Sequence, residues 1–355
     1  MILHITNFTN RGGGTKIARA LLNAHKNEAA ILVLERTLQP SSLALTEPGI
    51  VISHWKDWRY IQAIITDCQR KAGDNLLVHS HGRIPGFYSR MARVLSLLKT
   101  KVVHTFHGVI SFEWPRRYVT NITESLLSLV GNAVVFVSVS EQAGFRPFSS
   151  LCRNKVIFPC FEHSNVEAII PRVIRRIGFA ARFEYGKLHR VLIEAIALHN
   201  NRASDPLQLV FAGDGSTRTQ IDRLGKDLLS ERYVSLGDVY DMKDFYANID
   251  GYVQSTMFEG LPLALLDAMA CGLPVIGTDV PGNRDLISHN LTGLLVRAGD
   301  KYALSAALGE LQESSNTAWG LGARAREIVL EQYSCDRMVA SYNELYRSVG
   351  YRFGA

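Results

Sequence analysis

Residues 258–287 read FEGLPLALLDAMACGLPVIGTDVPGNRDLI. An acid, Glu259, is followed by Gly260, Leu261 and Pro262, and then by an apolar run of helical spacing from Leu263 to Cys271. Proline suits the first turn of a helix, where its missing N–H deprives no carbonyl and its φ is already helical. The free N–H groups of such a helix start face an anion, and the helix dipole favours phosphate there. Asp267 lies eight residues after Glu259 and about one helical turn after Leu263. A carboxylate so placed can accept a pair of hydrogen bonds from ribose 2′- and 3′-hydroxyls. Equally, Glu259 could be a helix-initiating acid and Asp267 a solvated one, since short patterns recur by chance. Pro274–Gly277 then reads as a strand, making the segment a helix that feeds a strand.

Outward from this segment, the pattern alternates. Strand-like runs at Arg176–Ala180, Leu207–Ala212, Tyr233–Leu236, Gly251–Gln254 and Gly293–Val296 are separated by helical ones at Val191–His199 and Ser216–Leu229. The first half repeats the scheme, with strands at Ile2–Ile5, Ala29–Leu34, Leu76–His79, Lys101–Phe106 and Val134–Val139 and helices such as Ile17–His25 and Tyr88–Leu98. Such alternation implies βαβ units and parallel sheets. Two successive doubly wound halves place a cleft between them, with ligands at the carboxyl ends of the strands. The expected domains are residues 1–168, residues 169–335, and a C-terminal helix over 336–355 that packs back on the first.

The 355 residues suffice for two domains, and an apolar fraction of 47% with 20% charged describes a globular chain with ample core. No apolar run approaches a membrane span, and MILHITNF lacks an export pattern. Five scattered cysteines, an odd number without C-x-x-C, predict reduced thiols in a cytoplasmic protein and no zinc site. The net charge of +6 is uneven: residues 1–168 hold 19 Lys and Arg against 11 Asp and Glu, and the remainder 20 against 22. A basic half suggests an anionic partner such as lipid head groups or a phosphorylated acceptor, or simply a solvated surface. Nucleic acid is not expected, because no recognition motif accompanies the charge.

Further motifs sit at predicted strand ends. Gly12-Gly13-Gly14 follows the first strand; three glycines let backbone approach a ligand, or form a plain turn, but no G-K-[ST] closes a P-loop. Arg182 and Lys187 follow the Arg176–Ala180 strand, and as isolated residues they read as a surface ion pair with Glu184 or its neighbours. Gly213 and Gly237 mark two more strand ends, while His79, His81 and His107 cluster at others.

Residues 258–287 resemble the signature of retaining glycosyltransferase family 4, of GT-B fold: E-G-(F/L)-P, a second acid completing E-x7-E, A-x-A-x-G-x-P-V, and a G-G-x-x-E-like turn. The chain departs from it with Asp267 in place of Glu, and with Pro281-Gly282-Asn283-Arg284-Asp285 at the turn. The resemblance extends over nearly the whole chain through Ala181-Arg182-Phe183 with Lys187, Phe211–Gly215, Gly237–Asp241, Thr105–Gly108 and Ser138–Glu141. The family's P-N-G is replaced by Pro159-Cys160-Phe161. The resemblance implies two Rossmann-like domains with parallel sheets facing across a deep cleft. It makes Glu259 and His107 the catalytic residues. It assigns the donor to Gly12, Gly13, Gly14, Arg182, Lys187, Gly213, Gly237, Glu259, Gly260, Leu261, Pro262, Leu263 and Asp267. Glu259 contacts the transferred sugar, Asp267 the ribose, Arg182 and Lys187 the diphosphate, and His107 the sugar.

The implied activity is a retaining, metal-independent hexosyltransferase acting on a nucleoside diphosphate sugar, UDP-linked by default. The acceptor is a saccharide or lipid-linked saccharide of cell-envelope polysaccharide or lipopolysaccharide synthesis. No metal and no cofactor are expected, the nucleotide sugar being a substrate; no D-x-D is present to bridge a metal to the diphosphate. The expected location is cytoplasmic, peripheral on the inner membrane face through the basic first half. The alternatives are a nucleotide-sugar epimerase of the same fold and a non-catalytic nucleotide-sugar-binding subunit.

Overall fold

The computed structural model describes residues 1–7, 13–26, 28–35, 44–47, 50–54, 58–95, 100–108, 116–145, 152–161, 172–239 and 241–354. The chain divides into two compact units, Met1–Cys160 with Cys335–Ala355, and Phe161–Ser334.

The first unit is built on an eight-stranded sheet. Its strands are β1 (Ile2–Asn7), β2 (Ala29–Glu35), β3 (Ala44–Glu47), β4 (Ile50–His54), β5 (Leu77–His81), β6 (Lys101–Thr105), β7 (Ala133–Phe136) and β8 (Asn154–Val156). The order is β3-β4-β2-β1-β5-β6-β7-β8, and all neighbours are parallel except β3 with β4. The helices are α1 (Gly13–Ala24), α2 (Trp58–Ala72), α3 (Arg83–Leu95), α4 (Arg116–Val130) and α5 (Val139–Gly144).

Alternation along the strands gives the sheet two unlike faces. Leu3, Ile5, Val78 and Val102 pack with Ile61 and Ile65 of α2 and Ala92 of α3 in an apolar core. His4, Thr6, His79, His81 and Thr105 are equally buried, and hydrogen bonds link them to one another, to Thr15 of α1 and to two tyrosines of the C-terminal helix.

The second unit is a six-stranded, wholly parallel sheet. It comprises β9 (Arg176–Ala180), β10 (Gln208–Ala212), β11 (Tyr233–Ser235), β12 (Gly251–Gln254), β13 (Val275–Thr278) and β14 (Leu294–Val296), in the order β11-β10-β9-β12-β13-β14. Its helices are α6 (His189–Asn200), α7 (Arg218–Leu229), α8 (Met242–Ala247), α9 (Leu263–Ala270), α10 (Pro281–Arg284), α11 (Lys301–Glu313) and α12 (Ser315–Gln332). Strand order reverses between β9 and β12, and in the first sheet between β1 and β5; such reversals open crevices at the strands' carboxyl ends. Asp250 fixes the β9–β12 start by accepting from the amides of Arg175 and Arg176 at 2.9 and 2.8 Å.

The last helix, α13 (Cys335–Ser348), belongs to the first unit, where it lies against α1. His25 bonds Asn343 at 2.8 Å, His79 bonds the Tyr346 hydroxyl at 2.6 Å and the Tyr351 hydroxyl donates to Glu28 at 2.7 Å. With that return included, the first unit holds 22 Lys and Arg against 11 Asp and Glu and the second 17 against 22, which sharpens the charge contrast. One expectation is corrected here. Cys160 and Cys335 form a disulfide, Cα to Cα 4.9 Å, so the thiols are not all free; a separation of 175 residues hides the pair from any spacing rule. Cys68, Cys152 and Cys271 are not in a disulfide.

Candidate functional site

In the second unit the predicted donor residues converge on the carboxyl ends of β9 to β13. Three loops are stitched together by backbone. The Ala181 amide donates to Ala212 at 3.0 Å, that of Phe183 to Asp214 at 2.9 Å and that of Gly213 to Gly237 at 2.6 Å. Gly213 is there by necessity: its φ is +131°, and a Cβ would stand 2.1 Å from the Ala181 carbonyl oxygen. No other residue fits that crossing.

A second stitch joins the loop after β9 to the loop after β12. Leu188 donates to Ser255 at 3.0 Å and Met257 to Gly186 at 2.8 Å, with an antiparallel bridge between Lys187 and Thr256. This sets Lys187 against Glu259. The ammonium pairs with Oε1 of Glu259, and the two side chains are only 20% and 15% exposed. Gln254 Nε2 donates to the same oxygen at 2.8 Å, and the buried Tyr252 hydroxyl donates to Gln254 Oε1 at 2.8 Å. The result is an acid held by a cation, an amide and a phenol in line. Gly282 abuts it, since a Cβ there would lie 2.8 Å from the Glu259 carbonyl. The glycine kept in the variant turn therefore lets α10 approach the acid.

Arg182 is placed differently. Its guanidinium pairs with Glu184 at 3.0 Å and is 65% exposed, the surface pair contemplated from sequence. Exposed pairs of this kind contribute about 0–1 kcal/mol. Gly260, Leu261 and Pro262 are buried, and Pro262 is the N-cap of α9, one residue before the first turn. Leu263 opens the helix, and Asp267 within it is 3% exposed. Gln254 and Tyr252 had no signal in the sequence, reading as ordinary strand residues.

In the first unit the glycine loop and His107 also meet. Gly12 lies outside the described residues; Gly13 begins α1. A Cβ on Gly14 would stand 3.1 Å from His81 Cβ and 3.2 Å from His107 Nε2. His107 Nε2 lies 3.4 Å from His81 Nδ1, and His81 Nε2 3.2 Å from His4 Nδ1. His79 bonds Thr105 Oγ1 at 2.7 Å through its other nitrogen. Burial pushes His107 down to about 4 and His4 to about 3, and holds His79 and His81 well below the usual histidine range. These rings are neutral near pH 7, each with one donor and one acceptor nitrogen.

The backbone after His107 is clamped as well. Buried Glu141 accepts from Gly108 at 2.6 Å and Val137 at 2.9 Å, and Ser138 caps α5 by accepting from the Glu141 amide at 3.1 Å. The S-x-x-E segment is thus a brace for the His107 loop. His4, His79 and His81 offer ring nitrogens all within 4.8 Å of one another, a set a transition metal could use. Only His4 Nε2 lacks a partner among those nitrogens, so binding would break the present bonds.

Residues 174–314 match the family described as glycosyl transferases group 1. Among curated proteins, the chain is 34% identical over 143 residues to the N-acetyl-alpha-D-glucosaminyl L-malate synthase of Bacillus anthracis, covering 40% of this chain and 38% of that one. It is 29% identical over 168 residues to the lipopolysaccharide core biosynthesis glycosyltransferase LpsE of Rhizobium meliloti, covering 47% and 48%. The matches thus span less than half the length of these relatives. Among solved structures, Anabaena HepE in complex with UDP and glucose superposes with a TM-score of 0.82 at 16% identity, over 98% of this chain and 100% of that one. The fold is GT-B, and the glycosyltransferase resemblance first read around Glu259 is met by the family match.

Proposed function

We propose that the chain is a retaining glycosyltransferase of family 4 that moves a hexosyl unit from a UDP-sugar to a saccharide or lipid-linked saccharide of the cell envelope. The observation that carries this is the Lys187–Glu259 pair with Gln254 and Tyr252 behind it, at the strand-order reversal of the second unit. The group 1 match over the same residues and a relative named for lipopolysaccharide core synthesis support it. A fold neighbour crystallised with UDP and glucose supports the choice of base.

In this reading Lys187 and Arg182 neutralise the departing diphosphate, with the first N–H groups of α9 beside it. The bond from the sugar's C1 to the diphosphate oxygen breaks, its electron pair leaving on that oxygen. The acceptor hydroxyl oxygen bonds C1 from the same face, and its proton passes to the departing diphosphate. Glu259 holds the sugar and stabilises positive charge at C1. His107, as a neutral ring, hydrogen-bonds the sugar, and Asp267 holds the ribose. No metal or cofactor enters; charge neutralisation falls to the two cations.

Among the described residues no helix is long and apolar enough to cross a membrane. We place the protein on the cytoplasmic face of the membrane, where the basic first unit meets anionic lipid. The seat of α13 does not rest on the Cys160–Cys335 disulfide alone, because Asn343, Tyr346 and Tyr351 also hold it.

Glu259→Gln tests the assignment. Turnover of UDP-sugar with a saccharide acceptor should fall by about 10³-fold, the scale of losing a main electrostatic stabiliser, with the unfolding temperature little changed. Near-normal transfer by this variant would sink the proposal. Sugar interconversion without acceptor would instead identify an epimerase.

A further inference from the structure

The fourth helix of the first unit is turned inside out. A helix on a soluble domain buries an apolar stripe and shows water a polar one. Among the described side chains of α4 the buried ones are Glu124, Ser125 and Ser128, Leu127 and Val130 are half-buried, and Ile122, Leu126 and Leu129 are 47%, 61% and 54% exposed. Those three lie at i, i+4 and i+7, on one face. The polar side has a clear reason to face inward: Arg90 of α3, wholly buried, donates to Glu124 at 2.7 Å, and Arg83 stands 3.9 Å from the same carboxylate. Single exposed leucines need no explanation, but a helix with its stripes exchanged does. The adjoining α3 adds Phe87, Val94 and Leu95, each 45% exposed or more.

Charge identifies what covers this face. Residues 83–130, which carry both helices, contain seven Lys and Arg against two Asp and Glu; with the buried Arg90–Glu124 pair set aside, six cations stand against one acid. A second copy would bring two strongly basic units together, which like-charge repulsion opposes. An anionic bilayer satisfies both features, because amphipathic helices lie in the head-group region with apolar residues inward and Lys and Arg on the phosphates.

We propose that α4 is the membrane-docking element, its Ile122–Leu126–Leu129 stripe seated in the head-group boundary of an anionic bilayer. This deepens the proposed function and rests on its lipid-linked acceptor. The test is co-sedimentation of the full chain with phosphatidylglycerol–phosphatidylcholine vesicles and with phosphatidylcholine alone. The wild type should bind the anionic vesicles, and binding should weaken in high salt. Leu126→Asn with Leu129→Asn should lower partitioning by roughly 10–100-fold, with an unchanged unfolding temperature and unchanged turnover on a soluble acceptor.

Equal binding by wild type and the double variant overturns the proposal. So does equal binding to neutral vesicles, or a dimer in light scattering that the double variant abolishes. Absence of vesicle binding with normal soluble turnover overturns the docking surface and leaves the transferase reading intact. Salt-sensitive binding that the double variant loses, in a chain that never turns over donor, supports the docking surface while defeating the transferase reading.

Discussion

The two units reverse strand order in the same way and furnish the resulting crevice with opposite chemistry. Between β9 and β12 the second unit sets a nearly buried ion pair, Lys187 with Glu259. Between β1 and β5 the first unit sets imidazoles that burial keeps neutral. Each unit also has a glycine beyond a strand end that another residue could not replace freely, Gly213 in one and Gly14 in the other, but the tolerances differ. At Gly213 a Cβ meets backbone at 2.1 Å, while at Gly14 it meets side chains from 3.1 Å outward. The topology provides a place for polar groups; the sequence decides whether that place works through charge or through hydrogen bonding.

Five substitutions or conditions should separate the two. The largest effect belongs to Gly213→Ala, where backbone overlap and positive φ together should cost roughly 3 kcal/mol or more and melt the second unit early. Calorimetry that finds this variant as stable as the wild type would contradict the crossing. Next is Lys187→Met, expected to lower kcat/KM for the donor by about 100-fold, equivalent to about 2.7 kcal/mol. Arg182→Met, at an exposed pair, should lower it less; an unchanged kcat/KM would remove Arg182 from the diphosphate site.

Acid should act on the first unit before the second. Its buried histidines titrate at about 3 for His4 and about 4 for His107, below their ordinary value near 6.5. Below 6.5 the unfolded chain binds protons that the folded chain refuses. The stabilisation is therefore complete above pH 6.5 and is lost as the pH falls toward 4, by up to about 1.4 kcal/mol per pH unit for a fully buried ring such as His4. Among the described histidines of the second unit only His189 is buried, so hydrogen exchange should show β1 and β5 opening before β9 and β12. The smallest effect is Gly14→Ala, about 1 kcal/mol with a loss of activity under tenfold, because side chains can give by a few tenths of an ångström.

Much of the second unit was legible. The strands Arg176–Ala180 and Gly251–Gln254 have their expected bounds because each is a short apolar run between turn residues. Glu259 and Lys187 were found as separate motifs, but nothing in a linear reading pairs residues 72 apart; the stitch through Gly186, Ser255 and Met257 does that. The first unit was harder. His4 sits inside MILHIT, where one polar residue in a strand carries no label, and its partners arrive from β5. The short antiparallel β3 beside β4 was missed because four residues, ALTE, show too little alternation. Helix α4 was not among the expected elements, and the outward direction of Ile122, Leu126 and Leu129 had no signal, because periodicity marks a stripe and not the side it faces.

The return of α13 to the first sheet also has a consequence for how the chain is made. Residues 1–160 leave the ribosome before the second unit, yet Tyr342 and Tyr346, which bond Thr105 and His79, emerge only after it. Until then one face of the first sheet has unmet histidines and threonines, while the whole of the inserted unit can already be complete. The first unit is therefore completed only after the second has been made.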